Sequence, residues 1–141
     1  MMFRIALCLL SVLMCAEVAM GQSVPAEKTG VLLVHYGTRN DASRKATIDA
    51  LDSMAMVRFA DCEVVEAYAA GSVIKSLGKR GIKKLTIGEG LDKLIADGCQ
   101  NAVVQTTMLL DGVMNDIVKN EVNTRKSKFK KIVVARPLLY S

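Results

Sequence analysis

The sequence predicts an α/β fold, an open and mostly parallel sheet of four strands with helices on both faces. Residues 31–34 are four consecutive apolar residues, Val-Leu-Leu-Val, which is typical of a strand buried on both faces. Further strand-like segments alternate along the chain with segments of helical periodicity. Consecutive strands would therefore be joined by right-handed βαβ crossovers, and their carboxyl ends would share one edge of the sheet.

The first 21 residues are predicted to be a signal peptide rather than part of the fold. Arg4 precedes an uncharged apolar run over 5–14, and small residues at Ala19 and Gly21 predict cleavage before Gln22. The run is too short for a comfortable membrane span. A lipoprotein cysteine at Cys15 is a weaker alternative, because a bulky methionine precedes it. We expect a periplasmic or secreted product, residues 22–141, with no membrane span after cleavage.

The net charge of the chain limits the kinds of partner that we expect for this product. The 141-residue chain carries a net charge of +5, and its isoelectric point is near 9.1. Such a charge slightly favours an anionic partner, but basic runs like the one over 119–131 usually form a solvated face. We expect no nucleic-acid partner.

The elements after the first strand follow from caps, periodicity and glycines. Asn40 and Asp41 predict the start of one amphipathic helix over 42–57. Thr86 and Glu89 form a capping-box pattern at the start of a helix that ends at Gly98. The other predicted elements are strands over 62–68, 101–107 and 130–135, a short helix from Gly71 to about Gly78, and a helix from Val113 to about Thr124.

The fourth predicted strand is the last element of the sequence. The chain stops where a further covering helix would be expected, so we expect one side of this strand to be bare unless another chain covers it.

The only histidine, His35, is predicted to lie at the carboxyl end of the first strand. Two interpretations stay open: a metal ligand or proton carrier at the strand end, or an ordinary histidine packed against the sheet. Phosphate-binding loops of either common type are excluded by glycine spacing. With one histidine and no Cys-x-x-Cys pair, no metal-ligand set within this chain is predicted.

Met108 follows the third strand and is expected on the same rim as His35. A thioether there would suit haem iron or a soft metal. The alternative is ordinary packing, because the chain has eight methionines.

Several segments, in this order, resemble the anaerobic sirohydrochlorin cobaltochelatase family (CbiK type). They are G-V-L-L-V-x-Y-G-T from Gly30, E-A-Y-A-A-G-S-V-I-K-S-L from Glu66, L-x-K-L-x-A-D-G from Leu91, V-V-Q-T-T from Val103 and R-P-L-L from Arg136. The resemblance covers essentially the whole chain after the signal peptide. It implies the N-terminal half of a unit built from two similar α/β halves, with a tetrapyrrole in the cleft between them.

The resemblance also implies a function and site residues. Family members insert Co²⁺, the substrate metal, into a sirohydrochlorin-type tetrapyrrole in anaerobic cobalamin biosynthesis, with no permanently bound cofactor. The candidate catalytic residue is His35, which replaces a small residue of the family pattern; in the short homodimeric chelatases that the chain resembles, a histidine stands one position later, directly before the glycine. The candidate tetrapyrrole-binding residues are Tyr36, Gly37, Thr38, Met108 and Gly112. An active enzyme would be either a homodimer placing two His35 side chains in a shared cleft, or a complex with a second chelatase half.

The sequence departs from the family pattern at important places. The family's metal-binding histidines and glutamate belong to the half that this chain does not contain, and Met108 stands where a histidine is usual. Acidic and aromatic residues expected after Gly112 are replaced by Val113, Met114 and Asn115. Two alternatives to an active chelatase therefore stay open: a non-catalytic periplasmic protein that binds a tetrapyrrole, haem or a metal, and a fragment of a broken chelatase gene.

Overall fold

The computed structural model describes residues 26–137 and residue 139, and it confirms the predicted α/β fold. Its strands pair in parallel in the order β2-β1-β3-β4. They are β1 (Thr29–His35), β2 (Glu63–Tyr68), β3 (Asn101–Thr106) and β4 (Lys131–Val134). The helices are α1 (Asp41–Ala46), α2 (Ile48–Arg58), α3 (Gly71–Gly78), α4 (Ile87–Ala96) and α5 (Val113–Arg125). The predicted signal peptide lies outside the described residues.

The central strand is β1, the apolar run from which the fold was predicted. Leu32 and Val34 are fully buried, and Val34 pairs with Ala67 of β2 on one side and Thr106 of β3 on the other. Helices α4 and α5 cover one face of the sheet and form the main core with it. No described helix is long and apolar enough to cross a membrane.

The predicted capping box at the start of α4 is present. The Glu89 backbone N–H donates to Thr86 Oγ1 at 3.2 Å, and the Thr86 backbone N–H donates to Glu89 Oε2 at 2.8 Å. These hydrogen bonds to the carboxylate hold the pKa of Glu89 below its ordinary value. Helix α4 is thereby fixed at its first turn, where it packs over β1 and β2.

Glu89→Gln is expected to weaken the acid sensitivity of the protein. A carboxyl whose pKa falls on folding stabilises the folded state above its unfolded pKa, and this contribution is lost as the pH falls through the folded value. Glutamine preserves the capping box but does not titrate. The free energy of unfolding of both proteins is measured with urea from pH 6 to about pH 3. Below pH 4.5, the ordinary pKa of a glutamate, it should decrease less steeply for the variant than for the wild type. Parallel curves would contradict this prediction.

The second face of the sheet is covered only in part. Helices α2 and α3 lie over β2, and Tyr68 packs with Ile48 and Leu77 in a smaller core there. On β3 and β4, by contrast, Val103 and Val133 are 38% and 44% exposed. This agrees with the bare side expected for the last strand.

The prediction of one amphipathic helix over 42–57 is wrong in two respects. It is broken at Thr47, whose backbone (φ −121°, ψ −71°) leaves the helical region while its hydroxyl donates to the Ser43 carbonyl at 2.7 Å. Moreover, the residues of α2 that are buried are Ile48 and Asp52, whereas apolar side chains such as Met54 are exposed. The apolar spacing therefore did not mark the face that packs on the sheet.

The cysteines within the described residues are separate thiols rather than a disulfide. Cys99 is buried in the main core, and burial raises the pKa of its thiol. Cys62 is half-buried just before β2.

Candidate functional site

An apolar groove lies at the carboxyl end of the sheet. We call it the terminal groove; its volume is about 720 Å³, and it is lined by Tyr36, the segment 108–114 and Leu139. Leu139 closes one side, because its backbone N–H donates to the Leu109 carbonyl at 2.8 Å and it bridges to Leu110. This is the edge of a parallel sheet at which α/β proteins bind ligands.

The loop that forms the groove is held by a buried asparagine. Asn115, only 3% exposed, donates its side-chain amide to Asp111 Oδ1 at 3.1 Å and to the Leu110 carbonyl at 3.4 Å. The bond from Asn115 and the charge of Lys119 hold the pKa of Asp111 below its usual range. In the sequence, Asn115 is only part of the departure from the family pattern, and its hydrogen bonds could not be predicted because they depend on how the loop folds.

The structure brings three of the predicted tetrapyrrole-binding residues together. Tyr36, Met108 and Gly112 all line the terminal groove, whereas Gly37 and Thr38 do not. Gly37 makes a left-handed turn (φ +99°) against the Tyr68 ring, and Thr38 Oγ1 accepts a hydrogen bond from the Asn40 backbone N–H at 3.2 Å. Gly37 and Thr38 therefore shape the connection from β1 to α1.

His35 does not share a rim with Met108, contrary to expectation. The imidazole is 1% exposed and lies beside α2, with Nε2 2.8 Å from Asp52 Oδ1 and Nδ1 3.0 Å from Thr107 Oγ1. Side chains along a strand alternate between its faces, so His35 and its neighbour Tyr36 point to different sides of the sheet end. The predicted catalytic residue is thus separate from the groove.

His35 belongs to a buried group of polar side chains that we call the polar cluster: His35, Asp52, Glu66, Tyr68 and Lys84. Lys84 Nζ donates to both carboxylate oxygens of Glu66, at 3.0 and 2.7 Å. One ligand atom from each of His35, Asp52 and Glu66 lies within 4.8 Å of the others. The cluster thus combines an imidazole, two carboxylates and an ammonium group beneath α2.

Tyr68 contributes the one member of the polar cluster whose polar atom is unsatisfied. Its ring packs edge-on against His35, with the ring centroids 6.3 Å apart, and Lys84 Nζ lies 5.1 Å from its centroid. The hydroxyl is buried and has no hydrogen-bond partner among the described residues. Burial, and then the charge of Glu66, raise the pKa of Tyr68.

Three members of the polar cluster were not predicted from the sequence: Asp52, Glu66 and Lys84. A signal for two of them exists: Asp52 lies one helical turn after Ile48, and Glu66 has the strand parity of Tyr68. That these residues meet His35 depends on tertiary packing.

A second apolar groove, the α2 groove, lies between α2 and the sheet. It is about 740 Å³ in volume, and His35 is part of its lining. Its walls include Leu33 of β1 and Leu51, Met54 and Phe59 from the region of α2. Leu51 and Met54, two of the apolar residues from which the amphipathic helix was predicted, therefore line this groove instead of the core.

Comparison with known proteins identifies the family. The sequence profile described as Cobalt chelatase (CbiK) matches residues 29–141. The chain belongs to the cobalt chelatase (CbiK) family. It is also 27% identical over 115 residues to a protein of Salmonella typhimurium named sirohydrochlorin cobaltochelatase. That alignment covers 81% of this chain and 44% of the relative, so the chain spans less than half of the relative's length.

The cobalt chelatase match includes both parts of the site. Residues 29–141 contain every described residue of the terminal groove and all five members of the polar cluster. The resemblance found in the sequence is therefore confirmed at the level of the family.

Proposed function

We propose that this cobalt chelatase family member binds a sirohydrochlorin-type tetrapyrrole in the terminal groove and takes part in the insertion of Co²⁺ into it. The observation that carries the proposal is an apolar groove at the carboxyl end of the sheet in a chain of this family. Its volume of about 720 Å³ lies within the range of small-molecule sites. Tyr36 and Met108 offer an aromatic ring and a polarizable thioether to a flat macrocycle.

The substrate's carboxylates would be accommodated beside the groove. A smaller pocket of about 240 Å³ shares Asp111 with the terminal groove, and Lys119 and Arg136 are among its lining residues. Lys119 also pairs with Asp111 and Asp116, so it would have to exchange these exposed carboxylates for those of the substrate. With that exchange, the two cationic side chains would attract an anionic macrocycle and orient it by its acidic side chains.

Metal insertion also requires a base to accept the pyrrole protons. Among the described residues that line the terminal groove, only Tyr36 and Asp111 titrate, and Asp111 is engaged by Asn115. His35 lies on the other side of the sheet end, so two copies of this chain would not bring their His35 side chains into one cleft unless α2 moved. A partner that contributes its own base, a second chelatase half, fits the insertion reaction better than a homodimer.

The same feature supports a second candidate function, a non-catalytic carrier. A groove without an available base would bind a tetrapyrrole and hold it without inserting metal. If the macrocycle were haem, the Met108 thioether would be the candidate axial ligand. A carrier in the periplasm would accord with the signal peptide predicted from the sequence.

Gly112→Phe is expected to block the terminal groove. The Gly112 backbone is extended (φ 175°), and an added Cβ there meets nothing within 4 Å, so the backbone accepts a side chain without strain. Because Gly112 lines the groove, we expect the phenylalanine ring to fill part of it. An absorption titration of sirohydrochlorin with purified protein should show a dissociation constant at least about tenfold higher for the variant, a loss of about 1.4 kcal/mol of binding energy.

A matched control is Gly78→Phe, which adds the same side chain in open space at the end of α3. It should bind like the wild type. Equal affinity of wild type and Gly112→Phe would contradict binding in the terminal groove.

A further inference from the structure

We propose that the polar cluster is a binding site for one divalent transition-metal cation, held by His35, Asp52 and Glu66. The site would take a borderline ion such as Co²⁺ or Zn²⁺. It is separate from the terminal groove, and it does not depend on tetrapyrrole binding.

The geometry of the three side chains carries this inference. They come from three elements, the end of β1, the middle of α2 and β2, and their ligand atoms lie within 4.8 Å of one another. Metal–ligand bonds of about 2.0–2.2 Å place neighbouring ligand atoms about 3.4 Å apart in a tetrahedral site, so no pair of ligand atoms has to approach by more than about 1.4 Å. One imidazole and two carboxylates form a nitrogen and oxygen set that first-row divalent ions accept.

A contact with Thr107 already orients the imidazole of His35. Thr107 Oγ1 lies 3.0 Å from Nδ1 of His35, which leaves Nε2 directed at Asp52. Metal-binding histidines are usually held through their second ring nitrogen in this way.

An independent observation is the unsatisfied hydroxyl of Tyr68. This side chain is 1% exposed, packs against His35 and lies on the same face of β2 as Glu66. Its hydroxyl interacts with the Glu66 carboxylate but makes no hydrogen bond of ordinary geometry within the described part of the chain. A buried hydroxyl without a hydrogen bond is costly and requires an explanation. A water molecule on a bound cation would give it a partner.

The charges of the cluster leave room for a cation. The buried Arg44 also acts on Tyr68, but it is paired with Asp41 outside the cluster. Within the cluster, the two carboxylates of Asp52 and Glu66 outnumber the single ammonium of Lys84. Their side chains are 11%, 22% and 15% exposed, so solvent neutralises them poorly. A divalent ion would displace Lys84 from Glu66 and bring the sum of the ion and the two carboxylates to zero. Lys84 is therefore the internal competitor of the metal.

Because Lys84 competes with the metal, some variants should lose affinity for Co²⁺ and another should gain it. Co²⁺ alone is titrated by calorimetry into the purified protein and its variants, with no tetrapyrrole present. We expect one equivalent to bind to the wild type. Asp52→Asn and Glu66→Gln should each weaken binding at least about tenfold, the effect of disturbing a metal's surroundings. Lys84→Met should strengthen binding by about tenfold, because the competing ammonium is removed.

The control is Asp116→Asn, a carboxylate on α5 that is 69% exposed. Its affinity for Co²⁺ should equal that of the wild type. Absence of binding to both the wild type and Lys84→Met would overturn the proposal. Unchanged binding in Glu66→Gln and Asp52→Asn would also overturn it, because the ion would then lie elsewhere. Because Lys84→Met is predicted to gain affinity, a folding defect in another variant cannot mimic the expected pattern.

Discussion

Replacing Gly37 with alanine should lower the free energy of unfolding by about 3 kcal/mol. Gly37 has φ +99°, a conformation that side chains rarely adopt, and an added Cβ would lie 2.5 Å from Cδ2 of Tyr68. The Tyr68 ring cannot yield easily, since it is 1% exposed and packed in the smaller core. Strain and collision therefore add at this position.

The matched control is Gly81→Ala, which separates the two causes. Gly81 has a similar positive φ of 78°, but a Cβ there meets nothing within 4 Å. We expect this substitution to cost only the backbone strain, about 1 kcal/mol. Urea unfolding followed by circular dichroism measures both variants, since the chain has no tryptophan. Equal losses for the two variants would mean that the contact of Gly37 with Tyr68 is unimportant.

Asp52→Ala should also lower the free energy of unfolding by about 3 kcal/mol. The substitution removes the carboxylate 2.8 Å from Nε2 of His35, whose side chain is 2% exposed. A buried polar group that loses its partner keeps the full cost of desolvation. Because the Asp52 side chain is partly exposed, we expect the loss of unfolding free energy to lie at the lower end of the range for buried pairs that lose one partner.

The comparison for this prediction is Asp116→Ala on α5. Asp116 pairs with Lys119 at 3.7 Å, but both side chains are at least half exposed. Such surface pairs contribute little, so we expect a change within about 0.5 kcal/mol. If unfolding showed similar losses for Asp52→Ala and Asp116→Ala, His35 would not depend on its buried partner.

The fold was predictable because its strongest signals are local. The apolar run in β1, the capping box of α4 and the glycine after that helix are all readable without tertiary information, and each is present. Helix α2 was not readable in the same way. Its apolar side chains line a groove rather than the core, so the periodicity that normally marks the buried face was misleading.

The candidate site was predictable only for residues whose position follows from the strand that precedes them in the sequence. Tyr36 and Met108 end up in one groove because both follow strands of the same parallel sheet. The side on which His35 lies was missed, because strand alternation near a strand end depends on the register of each turn. Its partners Asp52 and Thr107 are 17 and 72 residues away, and only packing brings them together.

The most direct test of the central claim is the absorption spectrum of sirohydrochlorin with the purified protein, recorded before and after Co²⁺ is added. We predict a saturable shift on binding, followed by insertion of Co²⁺ faster than in the protein-free control when the second chelatase half is supplied. A saturable shift without faster insertion would support the carrier. No shift at any protein concentration would contradict tetrapyrrole binding in the terminal groove.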